Sequence, residues 1–138
     1  MVIDTSALIA ILLGEPERSV LQNAIEAAEI RLVSAMTKLE AGMVMIGRLG
    51  PLGGVELQNL LAVIGARVVP FDERQADIAR DAFVRYGKGR DKAGLNFGDC
   101  AAYALAIAEA EPLLFKGTGF AATDVECVPL GEAEEGEG

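Results

Sequence analysis

The regular alternation of short apolar runs with longer amphipathic stretches constrains the fold of this chain more than any other feature. Residues that favour strands cluster at Val2-Ile3, Arg31 to Ser34, Arg67 to Pro70 and Pro112 to Lys116, and helix-like stretches separate these runs. Strands that alternate with helices form βαβ units, which build a parallel sheet covered by helices on both faces. We therefore predict an α/β fold, a single-domain three-layer sandwich with a central parallel sheet, in residues 1–130.

The helical segments are predicted from apolar spacing, capping residues and Gly or Pro at their ends. They cover Ala7 to Leu13, Glu17 to Ala28, Ser34 to about Gly47, Val55 to Ile64, Glu73 to Tyr86 and Leu95 to about Ala110, with a loop at Gly50 to Gly54 and an edge strand at Glu126 to Val128. Two helices carry stripes predicted to face the core, namely Met36, Leu39, Met43, Val44 and Ile46, and Ile78, Ala79, Ala82 and Phe83.

The composition excludes several classes of function. The 138 residues contain no histidine, which rules out a histidine general base and histidine-bound zinc, so carboxylates are the plentiful catalytic groups. The net charge of -9 opposes nucleic-acid binding, but part of it lies in Gly131 to Gly138, which we expect to be an acidic disordered tail. Two distant cysteines without metal spacing indicate the reducing cytoplasm, and no apolar run predicts a membrane span or a signal peptide.

Three acidic residues occupy positions suited to a shared site. Asp4 ends the first strand, at the edge of a parallel sheet where ligands bind, Glu40 borders an apolar helix face, and Asp99 lies in the first turn of a helix. Each also has a structural interpretation: Asp4 as a helix cap, Glu40 as a solvent-facing residue if the helix phase differs by one, and Asp99 as the partner of Asn96 in a capping box. The residues alone leave both interpretations open.

Four short segments follow one another along the chain in the order known from one protein family. They are the opening Val2-Ile-Asp-Thr-Ser-Ala7, Ser34 to Glu40 with its single Glu, Leu95-Asn-Phe-Gly-Asp-Cys100, and Leu113-Leu-Phe-Lys-Gly117. Together they resemble the PIN-domain ribonucleases, and in particular the VapC-type toxins of type II toxin–antitoxin pairs. The resemblance runs from Met1 to about Val128 and implies a PIN-like nuclease domain in residues 1–130, with the acidic tail at 131–138 outside it.

The resemblance implies that Asp4, Glu40 and Asp99 bind Mg²⁺ or Mn²⁺ in a site that hydrolyses RNA phosphodiester bonds. Hard divalent cations take oxygen ligands, and their charge offsets the mutual repulsion of three acids. The resemblance also implies a cognate VapB-like antitoxin and a homodimer. The side chains expected to support the ligands are Thr5, Ser6, Asn96 and Thr118.

The chain departs from the family in the loop after Leu113 to Gly117. Many members carry a further acid there, whereas this chain has Thr118 and Gly119. Either Thr118 binds the metal through water or Asp124 replaces the missing acid, although an Asp after Thr in a loop also fits ordinary turn chemistry. The number of metal ions, one or two, stays open.

The densest basic stretch of the chain immediately precedes the segment that contains Asp99. Lys88, Arg90 and Lys92 in this loop, together with Lys116, are predicted to bind RNA phosphates, with a merely solvated loop as the alternative. An antitoxin helix is predicted to bind an apolar groove formed by the helix that carries Leu57, Leu60, Leu61 and Ile64.

Two other functions are compatible with the sequence. A phospho-acceptor receiver domain would use Asp4, Thr118 and Lys116, but it requires a second acid beside Asp4, which is missing, and a phosphorylatable Asp after the middle strand, for which Asp72 is a poor candidate. A noncatalytic PIN-fold binding module is the other alternative.

Overall fold

A central sheet of four parallel strands organises the protein in the computed structural model, which describes residues 1–131. The strands are β1 (Val2–Ile3), β2 (Leu32–Ser34), β3 (Arg67–Val69) and β4 (Leu113–Leu114), arranged in the order β3-β2-β1-β4. The helices in these residues are α1 (Thr5–Leu12), α2 (Arg18–Ala27), α3 (Ala35–Leu49), α4 (Leu52–Val63), α5 (Glu73–Tyr86) and α6 (Phe97–Glu109), and a 3-10 helix covers Phe120–Ala122. The predicted α/β class with a parallel sheet is confirmed.

The sheet separates two apolar clusters, because successive residues of a strand point to opposite faces. Val2, Leu32 and Leu113 face α5 and α6, where they pack with residues such as Ala82 and Leu105. Ile3, Val33 and Leu114 face the other layer, where they pack with buried residues of α1, α2, α3 and α4. The two inner strands β1 and β2 and the edge strand β4 are therefore buried throughout, as expected for a sheet covered on both sides, whereas the edge strand β3 begins with the exposed Arg67.

The orientation of α3 differs from the prediction. Its buried residues are Thr37, Ala41 and Met45, whereas Leu39 and Met43, assigned to the core by their spacing, are 56% and 65% exposed. The helix is apolar on more than one side, and it packs with the side that carries Ala41, whose small side chain permits close approach. The same error affects α5, where Ile78, Ala79 and Ala82 pack against the core but Phe83 is exposed.

The loop predicted at Gly50 to Gly54 is shorter than expected, because α4 already begins at Leu52. Gly53 is buried where α4 passes α3, and a Cβ built on it would overlap the main-chain carbonyl of Met45. The glycine is thus required for the close approach of two helix backbones and does not mark a turn.

The C-terminal part of the domain adds less sheet than predicted. The segment at Glu126 to Val128 pairs with β4 only through an isolated bridge, in which the Leu113 N–H donates to the Glu126 carbonyl at 2.8 Å. The predicted acidic tail falls outside the described residues, apart from Gly131. None of the helices within residues 1–131 is long and apolar enough to cross a membrane.

The helix contact at Gly53 yields a matched pair of substitutions. Gly53→Ala should lower the free energy of unfolding by about 1–3 kcal/mol, because the backbone of α3 must move to admit the methyl group. Gly47→Ala, in α3, should raise it by up to about 1 kcal/mol, because alanine favours helix and its methyl group would meet no atom of residues 1–131 within 4 Å. Urea unfolding of both variants measures the difference, and equal effects would contradict the packing argument.

Candidate active site

Asp4 lies at the carboxyl end of β1, in the middle of the sheet edge, and its side chain is 3% exposed. One oxygen, Oδ2, accepts hydrogen bonds from the Ser6 N–H at 3.0 Å and from the Ser6 hydroxyl at 2.7 Å, so Asp4 caps α1. The other oxygen, Oδ1, is buried and has no hydrogen-bond partner among residues 1–131. Burial raises the pKa of Asp4 to about 7, with smaller contributions from the charges of Asp99 and Glu40, and the Ser6 hydrogen bonds oppose the shift.

Glu40 reaches the site from the second turn of α3. Its Oε1 accepts a hydrogen bond of 2.5 Å from the hydroxyl of Thr5, the first residue of α1. Its carboxylate also lies directly against Gly98 at the start of α6, since a Cβ built on Gly98 would overlap it. A hydroxyl from one helix and a missing side chain in another therefore determine where this carboxylate lies.

Asp99 enters from the first turn of α6, where it forms the predicted capping box. Asn96 Oδ1 accepts from the Asp99 N–H at 2.9 Å, and Asp99 Oδ2 accepts from the Asn96 N–H at 3.0 Å. Partial burial raises the pKa of Asp99, the charge of Glu40 adds to the effect, and the Asn96 hydrogen bond opposes it. Capping and a place beside the other acids are therefore compatible, because the box uses only Oδ2.

The charges of Glu40 and Asp99 thus help to raise the pKa of Asp4, and that of Glu40 the pKa of Asp99, although each of the three acids has a protein donor on one oxygen. In residues 1–131 no three or more Asp, Glu or Cys side chains, as they stand, form a group that could hold one ion. A cation would therefore require carboxylate rotation. The donor set still suits a hard cation, because it consists of oxygens and includes the unsatisfied Asp4 Oδ1.

The supporting residues divide into two groups. Thr5, Ser6 and Asn96 each donate a hydrogen bond to one of the acids. Ser6 Oγ also accepts from the Lys116 N–H at 2.9 Å, which ties the end of β4 to Asp4. Thr118 is exposed on the following loop, so the structure offers no contact that supports its predicted role.

Asp124, the proposed substitute for the missing acid, is held elsewhere by two residues. Its Oδ1 accepts from the Tyr103 hydroxyl at 2.5 Å and its Oδ2 from Arg85 at 3.1 Å. The Tyr103 hydrogen bond, followed by Arg85, lowers the pKa of Asp124, and Asp124 is not among the groups that shift the pKa of Asp4 or Asp99. Sequence analysis missed this trio, because its members lie far apart in the chain and no local pattern joins them.

The basic residues predicted to bind RNA lie at the surface. Lys88, Arg90 and Lys92 are exposed on a loop whose ends are joined by hydrogen bonds from Lys88 N to Leu95 O, 2.8 Å, and from Leu95 N to Tyr86 O, 2.9 Å. This loop leads directly into Asn96 and the start of α6. The ammonium of Lys116 is ion-paired with Glu15 and, at 3.3 Å, with Glu17.

Comparison with known proteins identifies the family. Residues 1–126 match the model of the PIN domain, so the chain belongs to the PIN-domain family. Ribonuclease VapC of Mycolicibacterium smegmatis is 49% identical over 93% of this chain and 99% of its own length. Ribonuclease VapC30 of Mycobacterium tuberculosis is 48% identical over 94% of this chain and 99% of its own. Within the family the chain therefore belongs with the VapC proteins.

Solved structures agree on the fold. The M. tuberculosis toxin VapC20, described as cleaving the sarcin-ricin loop, has a TM-score of 0.71 at 20% identity and covers 93% of this chain and 98% of its own. FitAcB from Neisseria gonorrhoeae gives 0.65 at 22% identity over 93% and 96% of the two chains. The resemblance read from the sequence is confirmed, and the receiver-domain alternative is not supported.

The burial of Asp4 predicts how the stability of the cation-free protein depends on pH. Between about pH 4 and pH 7 the unfolded chain ionises Asp4 while the folded protein keeps it protonated. The contribution of Asp4 to stability is therefore full below pH 4 and decreases by about 1.4 kcal/mol per pH unit until pH 7. Asp4→Asn should remove this loss and so stabilise the protein more at pH 8 than at pH 5.

Urea unfolding in the presence of a chelator measures this difference. Asp77→Asn, on the exposed surface of α5, is the matched control, because it removes the same charge from a position in solvent. A stability difference between Asp4→Asn and the wild type that does not change from pH 5 to pH 8 would contradict the predicted ionisation.

Proposed function

We propose that this protein is an endoribonuclease toxin that depends on Mg²⁺ or Mn²⁺ and is neutralised by a cognate antitoxin. The observation that carries the proposal is that Glu40 and Asp99, from two separate segments, act electrostatically on Asp4, whose buried Oδ1 has no hydrogen-bond partner within residues 1–131. The similarity to proteins named ribonuclease VapC, over almost the full length of both chains, supports the choice of RNA as substrate.

The residues have distinct tasks in this proposal. Asp4 would bind the cation through Oδ1, while Ser6 holds its Oδ2 in place. Thr5 orients Glu40, and the capping box fixes the position of Asp99, so that both acids are held where their charges act on Asp4. A bound divalent cation supplies an activated water and neutralises charge that develops on the phosphoryl oxygens.

Neutralisation by an antitoxin fits the surface of the chain. Two structural neighbours are described as a toxin-antitoxin complex from Klebsiella pneumoniae and as VapBC2 from Rickettsia felis bound to a promoter DNA fragment. An antitoxin arginine would pair with two oxygens of the acid cluster and so compete with the cation. The predicted groove on α4 needs correction, since Leu57 and Leu61 are each only 3% exposed and belong to the core.

One accessible side of α4 lies toward α2, where Leu60, Val63 and Ile64 border a surface hollow. Val63 is 83% exposed there. We place the antitoxin helix on this side. The homodimer implied by the family would use another apolar surface, where α3 meets α4, formed by the exposed side chains of Ile46, Leu49, Leu52 and Val55.

The nuclease proposal is tested by incubating total RNA with purified protein and mapping the product ends. Cleavage should require Mg²⁺ or Mn²⁺, stop with chelator, and fall to background in Asp4→Asn and Glu40→Gln, because each substitution removes a ligand charge. Cleavage that persists in chelator would refute the metal-dependent mechanism. Folded wild-type protein that binds RNA without cutting it would instead support the noncatalytic alternative.

Gly98→Ala tests in the same assay whether the position of the Glu40 carboxylate matters for cleavage. The added methyl group would displace the Glu40 carboxylate, while alanine favours the helix, so activity should fall by about 10- to 100-fold with thermal stability maintained or raised. Gly47→Ala, far from the acids, should leave the rate unchanged. A fully active Gly98→Ala enzyme would show that the observed position of Glu40 is not required.

The basic loop predicts a change in salt dependence. Replacing Lys88, Arg90 and Lys92 by alanine should reduce the slope of log affinity against log salt for single-stranded RNA by about 2, the expected effect of losing three phosphate contacts. Replacing Arg48, Arg67 and Arg74, which are exposed elsewhere, changes the net charge equally and is the control. An unchanged slope in the loop variant would remove the loop from the interface.

A further inference from the structure

Phe97 is an exposed aromatic residue in the immediate surroundings of the acid cluster. It is the first residue of α6, between the capping residue Asn96 and Gly98, and its side chain is 75% exposed. The capping box already completes the helix start without it, and the ring is not a member of either core cluster. Neither helix capping nor core packing therefore accounts for a solvent-exposed phenyl ring at this position.

One side of the ring borders a hollow of about 330 Å³ between α3 and α6, which we call the Phe97 hollow. Glu40 is the one charged residue that residues 1–131 contribute to its lining, and the other lining residues are apolar. The lining residues in the described part of the chain are Met36, Leu39, Glu40, Met43, Val44, Phe97 and Gly98. Met43 is 65% exposed and Leu39 is 56% exposed, so the hollow is open to solvent.

The position of Glu40 connects this hollow with the acid cluster. Its carboxylate is part of the hollow's wall, receives the Thr5 hydroxyl at 2.5 Å, and contributes to the raised pKa of Asp4 and Asp99. Gly98 lacks the side chain that would otherwise occupy the place of this carboxylate. A molecule in the hollow would thus lie beside the phosphodiester group that is hydrolysed at the three acids.

The chemistry of the hollow fits a nucleobase. A base presents two flat apolar faces, which stack on an aromatic ring, and edges with N–H donors, which a carboxylate accepts. A protein side chain that covered the same hollow would have to bury Glu40 without supplying a donor, which is costly, unless it were itself polar. Continuity with the acid cluster further favours a part of the substrate over a second copy of the chain.

We propose that the Phe97 hollow binds the base of a nucleotide adjacent to the scissile phosphate, with that base stacked on Phe97. This inference rests on the proposed ribonuclease function and extends it, because it assigns a subsite that selects where the RNA is cut. Phe97 is a specificity-determining residue in this scheme and takes no part in bond breaking.

The test measures coupling between Phe97 and one base of the substrate. An RNA oligonucleotide with the mapped cleavage site is made resistant by a methylene group in place of the leaving oxygen of the scissile phosphate, and is prepared with a single abasic nucleotide at each neighbouring position in turn. Fluorescence anisotropy then gives the affinity of the wild type, Phe97→Leu and Phe97→Trp for each RNA in Mg²⁺. Leucine keeps apolar bulk but lacks the aromatic face.

In the wild type, removal of one particular base should weaken binding about 5- to 100-fold, the range expected for loss of a stacked base. Phe97→Leu should weaken binding of the intact RNA by a similar factor and be insensitive to the same abasic position, whereas Phe97→Trp should retain the wild-type pattern. The matched control is Phe83→Leu, because Phe83 lies with Phe97 in the wall of the neighbouring hollow toward α5, to which residues 1–131 contribute no carboxylate. It should keep the dependence on that base.

Several results would overturn the proposal. An active wild type whose binding is equally sensitive to abasic positions in Phe97→Leu would refute the subsite and leave the ribonuclease function intact. Equal loss in Phe83→Leu would place the base in the neighbouring hollow, which Phe83 and Phe97 both line, and would overturn its assignment to the Phe97 hollow. A shift from dimer to monomer in Phe97→Leu, measured by light scattering, would assign the ring to a second copy. Failure of the wild type to cut any RNA would overturn both proposals.

Discussion

The cost of burying a carboxylate at the end of β1 governs the architecture of the site. Asp4 is placed there because β1 lies between β2 and β4, so the sheet surrounds its carboxyl end on both sides. Ser6 satisfies only one of its oxygens, and the other raises the energy of the ionised form until a cation or a proton is supplied. Further acids can lie close to Asp4 because helix N-termini, which favour negative charge, begin beside them.

Asp4 caps α1, Ser34 caps α3 just ahead of Glu40, and Asn96 caps α6 beside Asp99. Three helices thus begin at one edge of the sheet, and their unpaired N–H groups and dipoles favour negative charge there. The same arrangement fixes what surrounds the acids. The basic loop leads into the start of α6, and the Phe97 hollow opens between α6 and α3.

Local patterns were sufficient to predict much of this. The strand and helix order, the position of Asp4 at the sheet edge and the capping box at Asn96 all follow from short-range rules that the tertiary structure does not override. The phase of α3 did not follow, because a helix with apolar residues on more than one side gives no unique inner face. Packing on the side of Ala41 decided it and left Leu39 and Met43 in solvent.

Side-chain contacts between residues far apart in the sequence were the other feature that sequence reasoning could not predict. Asp124 is held by Tyr103 and Arg85, and Lys116 by Glu15 and Glu17, across separations that no motif encodes. Gly53 was interpreted as a loop residue because glycine marks turns more often than helix crossings. The site residues themselves were brought near one another, while the roles assigned to Thr118 and Asp124 stay predictions without a supporting contact.

The close contact between Gly98 and the Glu40 carboxylate makes two positions that are distant in the sequence interdependent. Whatever replaces the glycine must be accommodated by shortening or turning the side chain at position 40, which lies on another helix. Redesign of the protein for a different cleavage preference would therefore have to change both positions together with the neighbouring Phe97, as one unit.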